Sequence, residues 1–185
     1  LRGVEFEGTA LITDNWDVNL RLDLLDTEYV KFFQPFVAQL TSQTSRFDGN
    51  TLPRVPQKSG SLSSTYKGRV NDQWGWYLRG DLTYTGKAWD SEANIIQLDD
   101  YTRVNLRVGF ERDDLTVELF ARNLFDDQSW DYGFRSVSFR EPGGQQFVTI
   151  PAAALPPGSA PTVGFQQGMI VQPPDKRSIG LRVKY

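Results

Sequence analysis

Residues 177–185 read Arg-Ser-Ile-Gly-Leu-Arg-Val-Lys-Tyr and alternate without a break: Ile179, Leu181, Val183 and Tyr185 fall on one side, Ser178, Gly180, Arg182 and Lys184 on the other. Successive side chains of a strand point to opposite faces, whereas a helix repeats every ~3.6 residues, so this segment is constrained to a β-strand with unlike faces. The same constraint recurs upstream. Gly3–Leu11 sets Val4, Phe6 and Ala10 against Glu5, Glu7 and Thr9, and from Trp16 the residues Val18, Leu20, Leu22 and Leu24 oppose Asp17, Asn19, Arg21 and Asp23. Gly60–Val70 opposes Leu62 and Tyr66 to Ser61, Ser63, Thr65 and Lys67, and Trp74–Thr85 opposes Trp76, Leu78, Leu82 and Tyr84 to Tyr77, Arg79, Asp81 and Thr83. Tyr101–Glu111 and Leu115–Arg122 continue the pattern, giving seven strands with the last.

The connections alternate in length. Those at 12–15, 70–73 and 111–114 are short, while those at 31–56, 86–98 and 126–176 are long. In an antiparallel meander successive connections lie at opposite ends, so all short turns share one end and all long loops the other. The third loop holds most of the prolines, including Pro-Ala-Ala-Ala at 151–154 and Pro-Pro-Gly-Ser-Ala-Pro at 156–161. Only short hairpins, such as Asp131–Phe139 or Gln145–Ile150, fit among so many missing backbone donors.

Composition narrows the chemistry. The chain has no Cys and no His, which removes disulfides, thiolate nucleophiles, Cys/His zinc sites and His-based triads. With 20 basic against 23 acidic residues the net charge is -3, which gives no reason to expect nucleic acid. No enzyme, cofactor or metal is expected. Mean hydropathy is -0.44, a value that does not argue against a membrane barrel, because barrels need only alternate residues apolar. The opening Leu-Arg-Gly-Val-Glu, without Met or a leader, reads as the interior of a longer chain.

A soluble carbohydrate-binding sandwich would also alternate. Against it stand strands close to the length of a tilted bilayer span, aromatics at strand ends (Trp16, Trp74, Trp76, Tyr101, Phe110, Tyr185) and a chain ending inside a strand. The fold expected is all-β, an antiparallel transmembrane β-barrel fragment.

Asp100-Tyr101-Thr102-Arg103-Val104-Asn105-Leu106-Arg107-Val108-Gly109-Phe110, then Asn123-Leu124-Phe125-Asp126, then Lys176-Arg177-Ser178-Ile179-Gly180-Leu181 and terminal Tyr185 resemble the C-terminal end of TonB-dependent outer-membrane receptors. Gly3-Val4-Glu5-Phe6-Glu7 and Leu52-Pro53-Arg54-Val55-Pro56 resemble the family's late barrel strands, so the likeness covers the chain except 126–176. Lys176-Arg177 and Tyr185 stand where the family often has Pro-Arg and Phe. The resemblance implies the last seven strands of a 22-stranded barrel whose plug and TonB box lie upstream. It implies active import of an iron chelate, cobalamin or carbohydrate across the outer membrane of a Gram-negative bacterium, by a monomeric barrel in outer-membrane lipid coupled to the TonB–ExbB–ExbD complex. A passive porin or secretion pore is the alternative in the same membrane.

On this reading Arg21, Asp23, Arg79, Asp81, Arg103, Arg107, Glu118, Arg122 and Arg182 face the lumen and pair laterally, because buried charges need partners. Substrate-handling residues are expected in the long loops, where specificity can vary without disturbing the barrel: Arg46, Asp48, Asn50, Trp89, Trp130, Tyr132, Phe134, Arg135 and Arg140. Arg112-Asp113-Asp114 reads as a solvated hairpin and not as a catalytic carboxylate pair.

Overall fold

A computed structural model describes residues 1–35, 45–137, 147–149, 163–165 and 167–185. The chain forms β1 (Arg2–Thr13), β2 (Trp16–Asp26), β3 (Lys58–Arg69), β4 (Gly75–Thr85), β5 (Ala88–Trp89), β6 (Gln97–Leu98), β7 (Tyr101–Arg112), β8 (Leu115–Arg122), β9 (Tyr132–Val137), β10 (Phe147–Thr149), β11 (Val163–Phe165), β12 (Gln167–Gln172) and β13 (Ser178–Lys184). Seven of them make one antiparallel sheet in the order β1-β2-β3-β4-β7-β8-β13, the seven strands that alternation predicts. The other six pair as hairpins inside the long connections, β5 with β6, β9 with β12 and β10 with β11.

Register keeps like residues on like faces. Leu22 pairs with Phe6, Leu20 with Leu62, Leu62 with Leu82, Leu82 with Val104, Val108 with Leu119, and Leu119 with Leu181, so an apolar stripe crosses all seven strands. A slip of one residue would move every one of these to the ionic face, which is why the register is so strongly specified. The apolar face carries no second layer. Val4, Ile179 and Leu181 are 67%, 68% and 66% exposed, and among the described residues the only buried hydrophobics are Phe47 and Ala93, both in loops. A sandwich would cover this face with another sheet; among the described residues the enclosed apolar side chains belong to the connections.

The short turns have local causes. Asn71 Oδ1 accepts from the N–H groups of Gln73 (2.9 Å) and Trp74 (3.0 Å), closing the β3–β4 turn, and Asp113 takes a left-handed backbone (φ 49) in the two-residue β7–β8 turn. Trp16, Tyr66, Trp76, Phe110 and Tyr185 gather near this end, with Trp76 5.6 Å from Tyr66 and Trp16 Nε1 donating to Ser64 Oγ at 2.8 Å. Two expectations shift. Trp74 precedes β4, where the Arg112 guanidinium lies 5.8 Å from its ring, and Tyr101 lies at the opposite end opposite Thr85, on the polar face beneath Arg103.

Three glycines are covered by aromatic rings on the neighbouring strand: Gly68 by Trp76, Gly109 by Tyr77 and Gly180 by Phe120, each directly opposite its partner in the ladder. The ring fills the missing side chain's space, and only Gly lets it lie so close.

Candidate functional site

The polar face is an ion-pair lattice whose partners follow from the ladder. Arg21 Nη2 meets Glu5 Oε1 at 2.7 Å and its Nε meets Asp23 at 3.3 Å. Arg79 reaches Asp81 at 2.7 Å, Arg107 reaches the other oxygen of Asp81 at 3.9 Å, and Ser63 Oγ also donates to Asp81 at 2.8 Å. Glu118, only 7% exposed, accepts from Tyr77 Oη at 2.6 Å and from Arg182 Nη1 at 3.0 Å, so one carboxylate ties β4 to β13 across β7 and β8. Arg122 and Arg182 flank the Phe120 ring at 5.2 and 5.4 Å. The carboxylates Asp23, Asp81 and Glu118 are largely covered while the arginines stay partly exposed, and each fork is held by a carboxylate, an aromatic face or both.

Arg103 behaves differently from its neighbours. Its Nη1 pairs with Asp131 and its Nη2 donates to Ser129 O at 3.0 Å, so it leaves the strand lattice to hold the third connection.

At the loop end the three long connections bond to one another. The first is more regular than its lost alternation suggests: Phe47 N–H donates to Phe32 O (3.0 Å), Gln34 N–H to Ser45 O (2.9 Å) and Tyr29 N–H to Asn50 O (2.9 Å), an antiparallel ladder outside the main sheet. Tyr29 stacks on Phe32 at 4.5 Å, and buried Phe47 packs beside it. The ladder arises because each segment satisfies the other's backbone groups, which side-chain periodicity does not report.

Arg46 and Asp48, expected to handle substrate, are paired with each other, the Arg46 Nε donating at 3.1 Å. The Phe32 N–H (2.8 Å) and the Arg46 guanidinium hold the Asp48 carboxyl below the usual carboxylate range. Asn50 Nδ2 donates to Glu92 O at 2.8 Å in the second connection. There, Asn94 accepts from Thr51 N–H (2.7 Å) and donates to Thr51 O (2.9 Å), a reciprocal bond that joins the two loops.

The aromatic candidates divide into two groups. Trp89 lines a cleft of about 260 Å³ with Lys58 and Tyr84, residues that register places on the apolar face. Trp130 is half exposed in a separate cleft of about 280 Å³ with Ile96, Leu98 and Met169. Tyr132 and Phe134 meet at 5.7 Å. Arg135 lies in β9 opposite Met169, and Arg140, with the proline-rich stretch, lies outside the described residues. Among the described residues no group of three or more acidic side chains is arranged to hold a metal.

Two residues matter that loop composition alone did not single out. Arg54, between Pro53 and Pro56, has a left-handed backbone (φ 62), donates its N–H to Trp89 O at 2.8 Å and its Nη1 to Tyr132 Oη. Asn123 is 4% exposed; its Nδ2 donates to Asp127 O and Asp175 O, both at 2.9 Å, and its Oδ1 accepts from Asp127 N–H at 2.9 Å. Asp126 then accepts from Arg177 N–H at 3.0 Å, which with Gln128 lowers its carboxyl below the ordinary range. The Asn-Leu-Phe-Asp run is thus a knot that ends β8 and delivers the chain to β13. Its signal in the sequence was the motif; its chemistry was not visible there.

A continuous antiparallel meander with an uncovered apolar face, aromatics at its short-turn end and interlocked long loops at the other has the architecture of a transmembrane β-barrel wall. The family model "TonB dependent receptor-like, beta-barrel" matches residues 1–124, and the chain belongs to that family. The probable TonB-dependent siderophore receptor PiuA of Acinetobacter baumannii is 24% identical over 147 residues, 79% of this chain and 19% of the relative. Among solved structures, the ferric yersiniabactin uptake receptor FyuA of Yersinia pestis matches with a TM-score of 0.66 at 15% identity, covering 98% of this chain and 22% of that one. The siderophore receptor PiuA of A. baumannii matches with a TM-score of 0.65 at 18% identity, covering 99% and 21%. The chain therefore spans about a fifth of the length of these relatives.

Proposed function

We propose that residues 1–185 are the C-terminal part of a 22-stranded, plugged outer-membrane barrel of a Gram-negative bacterium, and that the whole protein imports an iron chelate by TonB-coupled transport rather than acting as an enzyme. The carrying observation is the two-faced sheet. From Trp16 to Leu24 and from Trp76 to Tyr84, nine residues alternate between an aromatic edge and the loop end, the number that a strand tilted at ~45° needs to cross hydrocarbon. On this reading Val4, Leu22, Leu62, Leu82, Leu119 and Leu181 meet lipid, while Arg21, Asp23, Arg79, Asp81, Arg107, Glu118, Arg122 and Arg182 line the lumen. The connections around 31–56, 86–98 and 126–176 face outward, with Trp130, Tyr132 and Phe134 nearest the ligand. Iron chelates are favoured over cobalamin or carbohydrate because the relatives are described as siderophore or ferric yersiniabactin receptors.

The test is uptake of iron-55, offered as catecholate, hydroxamate and α-hydroxycarboxylate chelates, by cells carrying the full-length receptor as their sole such importer. Uptake of at least one chelate class is expected, with complete loss on collapse of the energy coupling. Transport that survives uncoupling would instead indicate a passive pore.

A further inference from the structure

We infer that Arg54 and Arg103 are positioning residues that pre-form the segment Trp130–Phe134 for ligand capture, an inference that rests on the import reading above. The residues on either side of the β9 entry are gripped by arginines from two different elements. Arg103, on β7, pairs with Asp131, donates to Ser129 O at 3.0 Å and lies 4.2 Å over the Tyr101 ring. Its side chain is 19% exposed, so water and salt screen the pair only weakly.

Arg54 grips the next residue. Its backbone is fixed to the second connection through Trp89 O, while its guanidinium donates to Tyr132 Oη and lies 5.3 Å from the Tyr132 ring centre. A planar, always-charged fork suits this double task of hydrogen bond and ring contact better than an ammonium would. The left-handed backbone at Arg54 (φ 62) is one that residues with a side chain rarely adopt, and the bond to Trp89 O helps to hold it.

The arrangement has a consequence for ligand binding. The Asp131 carboxylate and Tyr132 hydroxyl are committed to the protein, and Trp130, beside them and 48% exposed, is the side chain left to present. An unclamped segment would hold this geometry for only a fraction of the time, and apparent affinity falls by that fraction.

The test uses the full-length receptor with Arg54→Ala, Arg54→Lys and Tyr132→Phe, and Asp131→Asn for the Arg103 clamp. Hydrogen–deuterium exchange on the purified, ligand-free protein reads residues 129–137 directly, and iron-55 uptake from the three chelate classes reads half-saturation and maximal rate separately. Arg54→Ala and Asp131→Asn are expected to speed exchange across 129–137 while leaving β1–β4 unchanged, and to raise half-saturation about tenfold, as for a segment competent a tenth of the time, at unaltered maximal rate. Arg54→Lys restores part of the affinity, and Tyr132→Phe, which keeps the ring, has the smaller effect. Unchanged exchange in Arg54→Ala would overturn the clamp; faster exchange with unchanged half-saturation would overturn its role in capture. Should the wild type take up no chelate class, the import reading fails, and exchange alone then decides whether Arg54 holds the loop.

Discussion

Gly109→Ala should destabilise the barrel out of proportion to one methyl group. The new Cβ would stand 2.2 Å from Tyr77 Cε1 and 2.3 Å from Cζ, so the ring must retreat by roughly an ångström or more before ordinary van der Waals contact is restored. Backbone cannot yield instead, because Gly109 sits in the ladder between Tyr77 and Glu118. Moving the ring breaks the 2.6 Å hydrogen bond from Tyr77 Oη to buried Glu118. A hydrogen bond to a charged group contributes about 1.5–3 kcal/mol and the displaced ring's packing about 1 kcal/mol more, so the expected cost is about 2.5–4 kcal/mol.

The assay is urea unfolding of the full-length protein in detergent micelles, followed by tryptophan fluorescence and by heat-modifiable migration, with linear extrapolation. Repeating the substitution in a Tyr77→Ala background closes a double-mutant cycle. With the ring gone, Gly109→Ala should cost less than about 0.5 kcal/mol. An equal cost in both backgrounds would refute the clash with Tyr77 as the cause, and a cost near zero in the wild type would refute the close approach itself.

Leu181→Arg, midway along β13 and opposite Leu119, should cost about 2–4 kcal/mol if that face meets lipid and should lower the amount of receptor recovered in outer-membrane fractions. Asn123→Ala removes three side-chain hydrogen bonds from a buried site and should cost about 2–3 kcal/mol in the same unfolding assay. Asp126 contributes with a definite pH sign. Its folded carboxyl titrates below its ordinary value, so its stabilisation is complete above the unfolded value of ~3.9 and disappears as pH falls through the lower folded one. Asp126→Asn should therefore weaken the knot at neutral pH and flatten the acid limb of a midpoint-versus-pH curve; an unchanged acid limb would count against the Arg177 N–H contact.

Legibility in the sequence followed the kind of interaction involved. Every main-sheet strand was readable because alternation is local and a two-faced sheet enforces it along each of those strands. The lateral pairs Arg21–Asp23 and Arg79–Asp81 were nearly readable too, since residues two apart in a strand share a face. Arg103 was readable as a polar-face residue but not as a loop clamp, because Asp131 comes to it from beyond the next strand. Loop candidates were chosen by residue type, and type could not distinguish Trp130, half exposed, from Arg46 and Asp48, which pair with each other. Arg54 and Asn123 escaped selection because their importance lies in bonds to carbonyls and hydroxyls far away in sequence.

The sequence by itself determined which segments form the seven-stranded sheet, which face most of their side chains take and at which end the long connections gather. A strand's period and a meander's connectivity are properties of the chain taken in order. Only the tertiary structure decided the ladder register, the rings laid over Gly68, Gly109 and Gly180, the hub at Glu118 and the joining of the three connections through Asn50, Asn94 and Arg54. These depend on distances between segments separated by tens of residues, where chain entropy has to be overcome by cooperative pairing and no local pattern records the result.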